Sequence, residues 1–324
     1  MAEPDAEVST VEDGSLVLAE ELPADRRPVA VYLARLAPGS RRAIAGALEI
    51  VAGILTGGRC DAREIDWSAL RYQHTQAVRA ALAERYKPAT ATRDLAAVRG
   101  VLKEAWRLGQ MSSEDYHRAV DLEPVRGEAL PAGRALSAGE LRALFAACRD
   151  DDSPGGDRDA ALIAVCYGAG LRRAEVTALE MADYDQETGA LAIRSGKGNK
   201  ARIAYATNGG RTALDAWLVV RGTEPGALFC PVNKGGRVEI RRMTEEAVWA
   251  ILQRRGAQAG VAHFSPHDLR RTFISDLLDA GADITAVQHL AGHSSVQTTA
   301  RYDRRGEAAK RKAAELLHVP FAAR

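Results

Sequence analysis

The sequence predicts a mainly α-helical protein of two domains with one small β-hairpin sheet. Three observations carry this. A chain of 324 residues exceeds what one hydrophobic core usually organises. Apolar residues recur at helical spacing over most of its length. One pair of short strand-like runs, L-A-I-R at 191–194 and A-R-I-A-Y at 201–205, flanks the turn S-G-K-G-N-K. With 46% hydrophobic and 27% charged residues, the composition is that of a soluble globular protein. No stretch approaches the length of a membrane span.

Residues 1–25 hold eight Asp or Glu and no Lys or Arg, show no sustained periodicity, and read as a disordered acidic tail. They lack the basic-then-apolar layout of a signal peptide. The four cysteines, Cys60, Cys148, Cys166 and Cys230, are dispersed and form no C-x-x-C pair. This points to a reduced cytoplasmic compartment and argues against disulfides and zinc; Cys166, inside an apolar run, reads as a small buried hydrophobe. Outside the tail, 44 basic residues face 35 acidic ones, a modest excess that suits a polyanionic partner.

Residues 26–122 read as a helical domain with 16 basic and 10 acidic residues. Its clearest helix is 88–108. Pro88 suits a first turn, Leu95, Val98, Leu102, Ala105 and Trp106 form one apolar stripe, and Gly109 ends it. Arg93, Arg99, Lys103 and Arg107 lie off that stripe. Composition alone reads them as a solvated face and leaves a DNA-gripping face as the alternative. Residues 123–133 are rich in Pro and Gly without periodicity and read as a linker. A second domain then fills 134–324. It opens with a capping box, Ser137 with Glu140, ahead of a helix containing Leu141, Leu144 and Phe145. A further helix runs through Ala160–Tyr167, the hairpin follows, and beyond about 209 the chain reads mainly as helices.

Four short segments carry chemistry together. G-L-R-R-A-E places Arg172 and Glu175 three apart, on one helical face. The hairpin turn presents Lys197 between two glycines. H-D-L-R puts His267 and Arg270 one turn apart. In L-A-G-H-S-S-V-Q-T-T-A-R-Y, His293 stands nine residues before Tyr302. His263 and His267 are spaced like zinc ligands, but Pro266 argues against one continuous helix between them. G-K-G-N-K lacks the pattern of a phosphate-binding P-loop.

At these residues the chain resembles the tyrosine recombinases, the phage integrase and Xer-like family. That family's catalytic domain carries, in this order, G-L-R-x-x-E, a hairpin lysine, H-x-x-R, and G-H followed nine residues later by a nucleophilic tyrosine. The resemblance covers about 133–305 well and extends loosely to 26–122, where the family has a helical core-binding domain. It implies that Arg172, Lys197, His267, Arg270, His293 and Tyr302 are catalytic, with Glu175 supporting them and Lys200 a rival for the role of Lys197. It gives Arg93, Arg99, Lys103 and Arg107 a DNA-binding task. It implies no metal and no cofactor, because two guanidiniums supply the positive charge that the phosphate needs. The implied partners are double-stranded DNA with an inverted-repeat core site, gripped by two domains closing as a C-shaped clamp, and three further copies of the chain. The tetramer would be linked through a C-terminal helix spanning Glu307 to Leu317. A type IB topoisomerase, and a DNA-binding protein that has lost catalysis, are the alternative readings.

Overall fold

A computed structural model describes residues 16–18, 22–127, 133–194, 201–303 and 314. They fall into two compact units, Met1–Ala132 and Gly133–Arg324. Most of the acidic stretch, the hairpin turn with Lys197 and Lys200, and all of the expected C-terminal helix except Ala314 lie outside the described residues.

The first unit begins with an extended rung. Val17 bridges Ile65, the Leu18 N–H donates to the Glu64 carbonyl at 2.8 Å, and the Asp66 N–H donates to the Leu16 carbonyl at 2.9 Å. This corrects the expectation of disorder throughout 1–25. L-V-L at 16–18 is an apolar triplet, and Leu16 is buried against the unit's core. Helices α1 (Pro28–Arg35), α2 (Pro38–Thr56), α3 (Tyr72–Arg85), α4 (Pro88–Arg107) and α5 (Ser113–Val120) follow. The first, second and fourth start on a proline, whose fixed φ suits the first turn. The stripe read from the sequence is the buried face of α4: Leu95, Val98, Leu102 and Ala105 are fully enclosed. Trp106, at its margin, stacks on Tyr116 with ring centroids 5.2 Å apart.

Three of the basic residues of α4, Arg93, Arg99 and Arg107, are less free than a solvated face would be. Arg99 donates to the carbonyls of Val120 and Leu122 and so braces α4 against the chain leaving α5. Arg93 pairs with the buried Asp94 at 2.8 Å, and Arg107 with Glu104 at 3.2 Å.

The second unit contains α6 (Ala138–Arg149), α7 (Pro154–Gly168), α8 (Arg173–Ala178), β1 (Ala190–Ile193), β2 (Arg202–Tyr205), α9 (Gly209–Arg221), α10 (Glu245–Gln258), α11 (Pro266–Asp279), α12 (Ile284–Ala291) and α13 (Val296–Ala300). The capping box at α6 is present: the Glu140 N–H donates to Ser137 Oγ at 3.2 Å, and the Ser137 N–H to Glu140 Oε2 at 2.8 Å. Helix α7 starts six residues earlier than the sequence suggested, at Pro154, because Ser153 caps it. The strands β1 and β2 pair antiparallel in the register Ala190↔Tyr205 to Ile193↔Arg202. The main core surrounds α7 and includes Trp217, Phe229 and Phe264. A smaller cluster of Phe273, Ile274, Leu278, Val287, Ala291 and Tyr302 joins α11, α12 and the segment after α13. Helix α11 begins at Pro266, so His263 lies in the preceding loop. Among the described residues, no helix is long and apolar enough to cross a membrane, and no cluster of three His, Cys, Asp or Glu could hold a metal.

Away from that cluster, a buried ionic knot ties α7 to α10. Asp159, fully enclosed, accepts from Arg158 at 2.7 Å and from Arg254 and Arg255 at 2.8 Å each; Arg255 is 1% exposed. Removing one partner of such a group strands the others in a low-dielectric interior. Asp159→Ala is therefore expected to destabilise the second unit by about 3–5 kcal/mol. Denaturant unfolding measures this, and a loss within the range of ordinary surface substitutions would show that the knot contributes nothing.

Candidate active site

Helices α8 and α11, the turn after α12 and the segment after α13 bring the motif residues together. Arg172 occupies the N-cap of α8, and Glu175 sits in that helix's first turn. The Glu175 carboxylate takes the Arg172 backbone N–H at 2.8 Å and the Arg172 guanidinium at 2.7 Å. Its other contacts come from Arg202 on β2, whose two terminal nitrogens each donate to it at 2.8 Å. Burial alone would raise the Glu175 carboxyl, but the hydrogen bonds from Arg202 and Arg172 overcome it and hold the group at about 2.

The C-terminus of α12 is the second anchor. Three consecutive carbonyls there each accept from a different arginine: Leu290 from Arg202 at 3.1 Å, Ala291 from Arg270, and Gly292 from Arg172 at 3.1 Å. A helix C-terminus exposes unpaired carbonyls and a negative dipole end, so it is a natural seat for cations. Gly292 closes α12 with φ 60°, and a Cβ there would stand 2.9 Å from the Arg202 side chain. Gly170, with φ 64°, does the matching job before α8. Its carbonyl accepts from Arg270, and a Cβ would stand 2.4 Å from the Phe273 ring. The carbonyls of both motif glycines thus accept from arginines, and their lack of a side chain leaves room for Phe273 and Arg202.

Arg270 on α11 is 1% exposed, and its Nε has no hydrogen-bond partner among the described residues. Burial and the neighbouring Arg172 push its guanidinium down to about 9, still charged at neutral pH. A buried donor without a partner, in a cluster of positive charge, is suited to an anion.

Tyr302, 9% exposed, follows α13. Its hydroxyl lies 3.3 Å from His267 Nε2, and its ring lies 6.0 Å from that of His293 at an interplanar angle of 20°. His293 Nδ1 meets Thr299 Oγ1 at 2.9 Å. Partial burial, then the positive Arg270, lower the pKa of both histidines, that of His293 to about 4, so both are neutral at pH 7.

The structure thus gathers Arg172, Glu175, His267, Arg270, His293 and Tyr302; Lys197 lies outside the described residues. Arg172 and Glu175 meet across a helix cap and not along a helical face. Sequence reasoning missed Arg202, which sits inside a strand pattern 27 residues from its carboxylate. Its one signal is a basic residue opening the strand beside a glycine-containing turn. It also missed Thr299 and Arg271, the latter lying over the Tyr302 ring with its guanidinium carbon 5.1 Å from the centroid.

Residues 134–308 match the family described as the phage integrase family. The chain is 32% identical over 249 residues to tyrosine recombinase XerC of Pseudomonas aeruginosa (strain LESB58), covering 73% of this chain and 76% of that protein. It is 35% identical over 223 residues to tyrosine recombinase XerD of Caulobacter vibrioides, covering 66% and 70%. Among solved structures, a fragment of the Tn1549 transposon integrase in complex with circular intermediate DNA is similar with a TM-score of 0.67 at 16% identity. That match covers 91% of this chain and 99% of the fragment, and at such identity it is a likeness of fold.

The histidines give the site a pH signature. A protonated His293 would add positive charge beside Arg270, Arg172 and Arg202, and the fold resists this by lowering its pKa. The unfolded chain has no such neighbours and takes up the proton near 6.5. Stability held by the neutral ring is therefore present above pH 6.5 and is lost as pH falls toward about 4. The thermal midpoint of the parent should fall between pH 7 and pH 5 by more than that of His293→Gln. Equal falls in the two proteins would refute this account.

Proposed function

The chain belongs to the phage integrase family and is a site-specific DNA recombinase of the tyrosine type, and we propose that Tyr302 is the nucleophile through which it breaks and rejoins strands. The observation that carries this reading is the 3.3 Å contact between the Tyr302 hydroxyl and His267 beside a cluster of fixed guanidiniums. Tyr302 Oη attacks phosphorus while the neutral His267 takes the phenol proton. The bond from phosphorus to the 5′ oxygen breaks, leaving the strand as a 3′-phosphotyrosine that conserves the bond's energy, so rejoining needs no ATP. Arg172 and Arg270 bind the non-bridging oxygens, where charge develops, and His293 adds a hydrogen bond. Arg270 Nε, without a partner in the described chain, is the donor this role requires. Glu175, held at about 2, carries no proton and serves to hold Arg172 and Arg202 in place.

Lys197 protonates the leaving 5′ oxygen. It lies five residues from Arg202, so the chain keeps its Cα within roughly 18 Å of an arginine of the site. Double-stranded DNA with an inverted-repeat core site is the substrate, and both units contact it. On the first unit Arg93, Lys103 and Arg107 contact phosphates. Arg99 is the weakest member of that set, because its guanidinium already braces α4. Four copies pair two sites, linked by the segment after Tyr302.

Duplexes selected from random-sequence DNA supply a substrate for the tests. Tyr302→Phe should bind them as tightly as the parent and form no SDS-stable adduct; an adduct from this variant would end the assignment. Its complex on paired sites should contain four copies by analytical ultracentrifugation, and a complex of two would end the tetramer reading.

Lys197→Ala should cleave about 10²–10⁴-fold more slowly. Sulfur in place of the 5′ bridging oxygen leaves without a proton and should restore the rate. Restoration of Lys200→Ala in its place would move the role to Lys200.

A further inference from the structure

The nucleophile stands on an element that cannot hold it alone. Helix α13 has five residues, too few to be stable in water without tertiary support. Tyr302 follows it, its N–H bonded to the Thr299 carbonyl at 2.9 Å. Three of the contacts that fix the residue come from α11. His267, Arg271 and Ser275 stand four apart along that helix, on one stripe. His267 Nε2 meets the Tyr302 hydroxyl at 3.3 Å, the Arg271 guanidinium carbon lies 5.1 Å from the ring centroid, and Ser275 Oγ donates to the Tyr302 carbonyl at 3.3 Å. One stripe thus contacts the same residue at its reactive end, its middle and its backbone.

The geometry points to Arg271 as a positioning residue of the recombination reaction, holding the plane of the Tyr302 ring so that its hydroxyl stays beside His267. The proposal rests on the reading of Tyr302 as the nucleophile. Consecutive residues on a helix diverge by about 100°, and the two adjacent arginines of H-D-L-R-R divide the work accordingly. Arg270 turns toward the carbonyls of Gly170 and Ala291, and Arg271 toward the ring. A cation is attracted to the negative face of an aromatic ring, and more strongly where water is partly excluded. With the ring of His293 stacked alongside, the phenol keeps one orientation before any DNA is bound. The attraction needs a positive charge and not a particular hydrogen bond, and this separates it from an ordinary packing role.

Arg271→Met, which keeps the unbranched stem of the side chain and removes the charged guanidinium, should slow covalent capture on a nicked duplex about tenfold. Affinity for the intact duplex should not change. Arg271→Lys should recover most of the lost rate. In the DNA-free chain with 3-fluorotyrosine at position 302, Arg271→Met should move the fluorine resonance toward that of the free amino acid. Arg271→Lys should leave it near its parental position. Capture at the parental rate by Arg271→Met, a fluorine line that does not move, or a lysine variant as slow as the methionine variant would each overturn the proposal. If Arg271→Met shows no cooperative thermal transition, Arg271→Gln takes its place in both measurements. Mapping the captured DNA keeps the two readings apart. An adduct on a residue other than Tyr302 removes the nucleophile assignment, while the fluorine line still decides whether Arg271 holds the ring.

Discussion

Several guanidiniums close together repel one another, and burial removes the water that would screen them. The second unit answers this with one carboxylate and one helix end. Glu175 takes both Arg172 and Arg202, and the last carbonyls of α12 take Arg202, Arg270 and Arg172 in succession. Everything else in the site depends on this arrangement. The lowered histidines and the lowered but still charged Arg270 follow from burial and then from the positive charge crowded around them, and Gly292 leaves room for Arg202. The supporting charges are spent almost entirely on keeping the arginines in place, so the donor atoms stand in position before a phosphate arrives. Preorganisation of this kind is what makes electrostatic stabilisation effective in a transition state.

The residues that could be read from the sequence were those in short, ordered motifs. Arg172 with Glu175, His267 with Arg270, and His293 with Tyr302 each declare themselves by local spacing, and the structure brings all six together. The helix 88–108 was legible for a similar reason, since an apolar stripe on a 3.6-residue period is a local property. Arg202 was not legible because its partner lies 27 residues away across a hairpin, and nothing in a strand pattern says which face meets a carboxylate. Arg271 sits beside a motif residue in the sequence, yet its task depends on where α13 delivers Tyr302. The capping role of Arg172 was hidden for a related reason: i,i+3 spacing describes a helical face and a helix N-terminus equally well. The rung at 16–18 shows the converse limit, where a short apolar triplet inside an acidic stretch was outweighed by its surroundings.

The two buried ionic systems of the second unit differ in kind. Around Asp159 three arginines share one carboxylate, and each named guanidinium has a hydrogen-bond partner within the knot, so it is a device of architecture. Around Glu175 the arginines also outnumber the carboxylate, but there a buried donor of Arg270 is left without a partner among the described residues. That difference distinguishes a scaffold from a site without reference to any motif. Buried ionic groups are weak witnesses to stability, but a buried donor left over among them is informative about what is meant to bind.

The order in which the site's pieces occur along the chain has a further meaning. Gly170, Arg172, Glu175, Arg202, Arg270, Gly292 and His293 all precede Tyr302. Translation runs in that direction, and domains fold as their segments become available. The cradle of arginines is therefore synthesised in full before the proposed nucleophile. On the proposed assignment, a chain cut short before position 302 carries the arginines and lacks the attacking hydroxyl, so the order of residues along the chain is itself a safeguard.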